Sequence, residues 1–134
     1  RTKAAVISVA VERAERMVQA GFAKAAAMKI GVSVAIVDLE GRLIASGRMD
    51  AARQESLEMA LNKASTAAAF QMPTDQLGSR PRESAVFGIS QAQLVAVPGG
   101  IPILDGFSIV GAVGVGGGTP EQDRECCRAA LTAP

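Results

Sequence analysis

The side chains best suited to acid–base chemistry in this chain are a lysine and an aspartate that lie far apart in sequence, Lys63 and Asp123. Asp123 follows a glycine-rich run and can point inward, where a carboxylate orients a ligand or acts as a base. The alternative interpretation is that Asp123 lies in the first turn of a helix and only neutralises the charge of the helix dipole. Lys63 also has two interpretations: an ammonium that reaches solvent, or a cation in a partly apolar setting that binds an anion or donates a proton.

The amino-acid composition limits which catalytic groups and metal ligands the chain can supply. The 134 residues contain no histidine, which removes the most common general base and ligand of metals and haem. Cys126 and Cys127 are adjacent, a spacing that suits neither a CxxC redox pair nor a metal site, so we predict no metal centre and a reducing, cytoplasmic setting.

Charge and hydropathy limit the classes of partner that this chain can have. Fourteen basic and 13 acidic residues leave a net charge of +1, without the basic run that nucleic acid requires. No apolar run approaches the roughly 20 residues of a membrane span. We therefore expect neither nucleic acid nor a membrane as a partner.

The run from Gly111 to Gly118 resembles a phosphate loop, but no lysine follows it. Thr119 and Gln122 predict a capping box, in which the helix start satisfies its own backbone groups. Strand alternation instead leaves one face progressively bare, the face shared by Val110, Ala112, Gly114 and Gly116. Such a face admits either a flat ligand or close packing against a helix or a second subunit.

The elements that must position these residues follow from apolar periodicity and turn residues. They are a helix over 4–28, a hairpin of strands 32–38 and 42–48, a helix over 52–71, a loop or lid over 74–93, three short strands broken at Pro98–Gly100 and Asp105–Gly106, and a helix over 119–131. Connections this short between strands require a largely antiparallel sheet. We predict one α+β domain over residues 1–134. Two apolar faces on the second helix predict a homo-oligomer.

Several segments together closely resemble the GlcG/HbpS family of small haem-binding-type proteins, which includes the C-terminal domain of PduO-type corrinoid proteins. They are VAIVDLEGRLIASGRMDAA, ALNKASTAAAF, PGGIPI, DG and VGAVGVGGGTPEQD. The resemblance implies a profilin-like fold, a five-stranded antiparallel sheet flanked by helices, and higher oligomers such as octamers.

The resemblance also implies a set of characteristic residues. They fall on Asp38, Gly41, Arg48, Asp50, Lys63, Gly99, Gly100, Pro102, Gly106, Gly111, Gly114, Gly117 and Asp123. From these and the bare strand face we predict a ligand site formed by Asp38, Arg48, Lys63, Gly99, Gly100, Gly116, Gly117 and Asp123. We expect Lys63, the Gly99–Gly100 turn, Gly116–Gly117 and Asp123 to border one cavity.

Some members of that family bind haem, which makes haem a candidate cofactor. This chain has neither histidine nor tyrosine, the usual neutral or phenolate partners of the iron, so we expect weak or no stoichiometric binding. The remaining candidate iron ligands are Met49, Met59, Met72, Cys126, Cys127, a hydroxyl and neutral Lys63.

Two functions are compatible with these residues. The first is an oligomeric protein, accessory to a catabolic pathway, that binds haem or another planar or acidic small molecule. The second is a small acid–base enzyme of the isomerase, lyase or hydrolase type, in which Lys63 with Asp123 or Asp50 moves a proton on an oxoacid or an intermediate of aromatic degradation.

Overall fold

The first helix shows how the apolar pattern sets the layers of the fold. In the computed structural model, which describes residues 8–79 and 94–134, α1 spans Val11–Ala27. Its buried residues recur at helical spacing and face the sheet and the C-terminal helix: Ala14, Met17, Val18, Gly21 and Ala25. Residues 4–7 of the predicted helix lie outside the described residues.

The remaining elements follow the predicted order. They are β1 (Ser33–Asp38), β2 (Leu43–Arg48), α2 (Ser56–Phe70), a 3-10 helix (Thr74–Ser79), β3 (Gly100–Asp105), β4 (Ser108–Gly116) and α3 (Pro120–Leu131). The strands form an antiparallel sheet in the order β2-β1-β4-β3. α1 and α3 share a buried cluster on one face of this sheet, whereas α2 packs on the other. The α+β class and the antiparallel pairing are thus confirmed.

The prediction of five strands is wrong for the part of the chain that the structure describes, where four strands pair. The missing strand was expected just before Pro98. There the backbone groups bond to side chains: the Val95 N–H donates to Thr66 Oγ1 at 3.3 Å, and the Val97 carbonyl accepts from Thr74 Oγ1 at 2.5 Å. Groups satisfied in this way do not need a strand neighbour. Of the predicted loop or lid, residues 80–93 lie outside the described residues.

Helix α2 lies directly on the bare face of β4. A Cβ atom on Gly114 would overlap the carbonyl oxygen of Ala60, and one on Gly116 would lie 2.5 Å from the carbonyl oxygen of Ser56. Within this chain the glycines therefore serve close helix–sheet packing. The helix occupies the space that a flat ligand on this strand face would need.

The start of α3 is the predicted capping box. Thr119 Oγ1 accepts from the Gln122 N–H at 3.2 Å, and Gln122 Oε1 accepts from the Thr119 N–H at 2.9 Å, with Pro120 at the first position. These two hydrogen bonds fix Thr119 as the N-cap of α3. This fixes where Asp123, in its first turn, enters the fold.

Candidate functional site

The two predicted acid–base residues form a buried ion pair. Lys63 Nζ donates to Asp123 Oδ2 at 2.8 Å, and each side chain is only 3% exposed. The lysine does not reach solvent, and the aspartate does more than neutralise the helix dipole. A full charge pair in this setting is costly to form without further hydrogen bonds, so the surrounding groups decide what it can do.

The pair joins elements from opposite faces of the sheet. Lys63 comes from the middle of α2 and Asp123 from the first turn of α3. They meet at the end of the sheet where β3 begins and β4 ends. There Gly99 leaves room for the two side chains to meet, and Gly100 lies against the backbone of Lys63.

Gly99 covers the pair with bare backbone. Its φ of +123° suits glycine, and a Cβ atom there would lie 2.7 Å from Lys63 Nζ and 3.0 Å from Asp123 Cβ. Any side chain at this position would push the two charges apart. At the other end of the carboxylate, Asp123 Oδ1 accepts from the Gly118 N–H at 2.9 Å. Asp123 is therefore held through both oxygens.

Two side chains that the sequence analysis did not assign to the site hold the glycine turn. Cys127 Sγ lies 3.0 Å from the Gly99 carbonyl oxygen, and Thr74 Oγ1 accepts from the Gly100 N–H at 3.1 Å. Cys127 lies four residues after Asp123, on the same face of α3, and this spacing is the signal that links it to the site. No sequence signal links Thr74 to position 100, because the contact spans 26 residues.

Neither cysteine is poised for nucleophilic chemistry. Burial, reinforced by the charge of Asp123, raises the pKa of Cys126 to about 11. Burial also raises the pKa of Cys127, although the nearby Lys63 acts in the opposite sense. Both remain thiols at neutral pH, and Cys127 acts as a hydrogen-bonded packing residue.

Asp38 belongs to a different part of the molecule, the turn between β1 and β2. Its Oδ1 accepts from the Glu40 and Arg42 N–H groups at 3.0 and 2.9 Å, and its Oδ2 accepts from Arg42 Nε at 2.9 Å. Burial opposes ionisation of Asp38, but the hydrogen bonds and charge from Arg42 outweigh it and lower its pKa. The residue therefore stabilises the hairpin.

Three further predicted site residues are Arg48, Asp50 and Gly117. Arg48 is exposed and donates to the Met49 and Ala52 carbonyls at 3.4 Å, and Asp50 is exposed in the following turn. The structure does not join these two residues to Lys63 and Asp123. Gly117 has a φ of +120°, and a Cβ atom there would lie 2.7 Å from the Gly31 carbonyl oxygen. It directly precedes Gly118, whose N–H donates to Asp123.

The arrangement has a donor, an acceptor and a backbone cover. Lys63 and Asp123 can exchange a proton with each other or with a group that replaces one of them. A small anion would compete with the Asp123 carboxylate for the ammonium. Because both side chains are buried, the pair in this conformation is closed to such a ligand.

No helix within residues 8–79 and 94–134 combines the length and the apolar character needed to cross a bilayer.

Comparison with known proteins gives concordant matches. Residues 9–132 match the family described as haem degrading protein HbpS-like. An uncharacterised 15.0 kDa protein of Citrobacter freundii, from the dhaT-dhaS intergenic region, is 34% identical over 130 residues, which cover 94% of this chain and 92% of that protein.

Two solved structures share the fold. The Klebsiella pneumoniae protein ORFY superposes with a TM-score of 0.86 at 29% identity, over 99% of this chain and 94% of that one. The PduOC:haem complex superposes with a TM-score of 0.84 at 27% identity, over 96% of each chain. These similarities match the resemblance that the sequence motifs indicate.

Proposed function

Because this chain belongs to the HbpS-like family, we propose that it is a small-molecule-binding protein that acts as an accessory in a catabolic pathway. The observation that carries the proposal is its likeness, over nearly the whole chain, to a domain solved as a haem complex. A relative of this chain is encoded in the dhaT-dhaS intergenic region, and this position supports a role alongside the products of those two genes.

The residues present do not fit a haem-iron site of the usual kind. The chain contains no histidine or tyrosine. Both thiols are buried and protonated, and Met49 Sδ already accepts from the Val32 N–H at 3.4 Å. Met59, 39% exposed on α2, lies on the protein surface. A ligand held through iron therefore lacks a histidine, tyrosine or thiolate partner, and we propose a planar or acidic organic ligand instead.

The proposed ligand site is the Lys63–Asp123 pair with the turn at Gly99–Gly100. An acidic group on the ligand would take the place of the Asp123 carboxylate beside the Lys63 ammonium. The bare backbone of the glycine turn would lie against its flat body. Gly99 is buried against the pair, and Pro98 beside it is half-buried. Movement of the Pro98–Gly99 turn away from the pair would therefore admit the ligand.

We propose that the protein is a homo-oligomer, with an octamer as one candidate. The exposed Met59 on α2 supports this, because a second subunit packed on that helix would remove its apolar side chain from water. A cytoplasmic location is also part of the proposal and is supported by the two free thiols.

An acid–base enzyme is a second candidate, favoured by the 2.8 Å contact between Lys63 and Asp123. Lys63 would act as the acid and Asp123 as the base on an oxoacid or a ring-derived intermediate. Asp50, which the structure leaves exposed and apart from the pair, has no place in this mechanism. Turnover of such an intermediate would distinguish the enzyme from a binding protein.

The decisive experiment is a hemin titration combined with native mass spectrometry of protein purified without added cofactor. We expect no sharp Soret band at one haem per chain, and an oligomer that retains a non-haem organic molecule. Lys63→Met/Asp123→Asn, which removes both charges of the pair, should fold and lose that molecule. Stoichiometric haem with submicromolar affinity would contradict the proposal, and Met59→Leu and Met72→Leu would then identify the iron ligand.

A further inference from the structure

A cleft opens between α1, β3 and α3, on the side of the sheet opposite α2. It has a volume of about 280 Å³ and is lined by Arg13, Ile101, Pro102, Leu104 and Leu131. Ile101 and Leu131 pack against the main core and form a firm floor, whereas Leu104 is 55% exposed at the rim. Among the described residues that line the cleft, Arg13 thus carries the one charged side chain and the others are apolar.

Arg13 is a half-buried cation, and no carboxylate among the described residues forms an ion pair with it. Within residues 8–79 and 94–134 its guanidinium makes no hydrogen bond and no ion pair, unlike Arg42 and Arg124, which both bind carboxylates. It also lies in the first turn of α1, where the helix dipole repels positive charge. Ala10, at the N-cap of that helix, supplies no side-chain hydrogen bond. An anion beside Arg13 would supply the missing counter-charge and would also interact favourably with the N-terminal end of the α1 dipole.

The shape of the cleft limits what that anion can be. Pockets for drug-sized ligands run from about 300 to 1,000 Å³, so this cleft suits a smaller molecule. An extended peptide is disfavoured, because Pro102 removes an N–H group from β3, an edge strand, and so prevents regular strand addition. The remaining class is a small molecule with one anionic end and a short apolar body.

We propose that this cleft binds a short-chain monocarboxylate, with the carboxylate on the Arg13 guanidinium and the hydrocarbon between Leu104 and Leu131. Guanidinium groups bind carboxylates through two parallel hydrogen bonds, which gives the site its preference for this group. The site is separate from the Lys63–Asp123 pair. Leu131 lies eight residues beyond Asp123 on α3, which is about 12 Å along the helix axis.

The test is a titration of the full chain with sodium hexanoate, followed by calorimetry and by amide chemical shifts. We expect saturable binding, with shifts centred on Leu104 and Leu131 and not on Gly99 and Gly118. Hexan-1-ol lacks the charge and acetate lacks the apolar body, so each should bind at least about tenfold more weakly. Equal binding of hexanoate and hexan-1-ol would overturn the proposal.

Variants separate the guanidinium from general surface charge. Arg13→Met keeps the apolar stem and should weaken hexanoate binding by about 10- to 100-fold. Arg16→Met, on the same helix but exposed, should leave it unchanged. Unchanged binding to Arg13→Met would refute the assignment. If hexanoate fails to bind and Leu104→Ser instead reduces the mass of the particle in solution, a second copy of the chain covers the cleft, and the proposal is also refuted.

Discussion

The Lys63 ammonium lies 2.8 Å from the Asp123 carboxylate, and the pair bridges two helices that pack on opposite faces of one sheet. Removing one partner leaves the other charge buried and unpaired, which costs about 3–5 kcal/mol. We therefore expect Lys63→Met to lower the free energy of unfolding by that amount, measured by urea denaturation. In Lys63→Met/Asp123→Asn much of the loss should be recovered.

A surface pair provides the control. Arg128 and Glu125 lie 3.4 Å apart with both side chains largely exposed, and Arg128→Met should cost less than about 1 kcal/mol. If Lys63→Met were no more costly than Arg128→Met, the pair would be neither buried nor coupled in solution.

Gly114 determines how closely α2 approaches the sheet. In Gly114→Ala the new methyl group would overlap the backbone of Ala60 and Ala64, and the helix must shift. We expect a loss of about 1–3 kcal/mol, seen as a lower midpoint in thermal unfolding followed by circular dichroism.

Gly106→Asn is the matched comparison. At this hairpin position φ is +65°, which asparagine tolerates, and no atom lies within 4 Å of an added Cβ. It should unfold close to the wild-type midpoint. If Gly114→Ala lost no more stability than Gly106→Asn, close contact with α2 would not be what requires glycine at Gly114.

Asp38 makes stability depend on pH. Its pKa is lower in the folded chain than the ordinary value of 3.8, so its ionised form stabilises the fold. That contribution is complete above the ordinary pKa and is lost as the pH falls through the lower native value. Asp38→Asn should therefore be less stable than wild type at pH 7, by about 1 kcal/mol, and the difference should vanish in acid. A difference that persisted at low pH would mean that shape, not charge, stabilises this turn.

The two thiols should resist modification. A pKa of about 11 leaves Cys126 almost wholly protonated at pH 8, and both side chains are buried. An aromatic disulfide reagent should react slowly with the native protein and at once with two thiols per chain in guanidinium chloride. Rapid reaction of one thiol in native buffer would show that α3 opens locally.

Self-association is expected from the exposed Met59 on α2. Light scattering at micromolar concentration should report a mass that is a multiple of 13.7 kDa, and Met59→Glu should reduce it. A monodisperse monomer in the wild type would contradict the proposed oligomer.

Local features were within reach of the sequence. The β1–β2 hairpin, the Thr119 capping box and the order of the three helices and four of the five predicted strands depend on residues a few positions apart, and the structure confirms them. The motifs from Val32 onward also sufficed to identify the family, because their combination is specific even though each alone is weak.

Only the tertiary structure decided the contacts between distant residues. Apolar and glycine spacing could not tell whether α2 or a ligand covers β4, nor whether Lys63 reaches solvent or Asp123, 60 residues away. The fifth strand was overpredicted for the same reason, since Thr66 and Thr74 capture the backbone groups that it would have used. Strand propensity acts within a segment, whereas the partner of a backbone N–H or of a buried charge is set by whichever group the rest of the fold brings within about 3 Å.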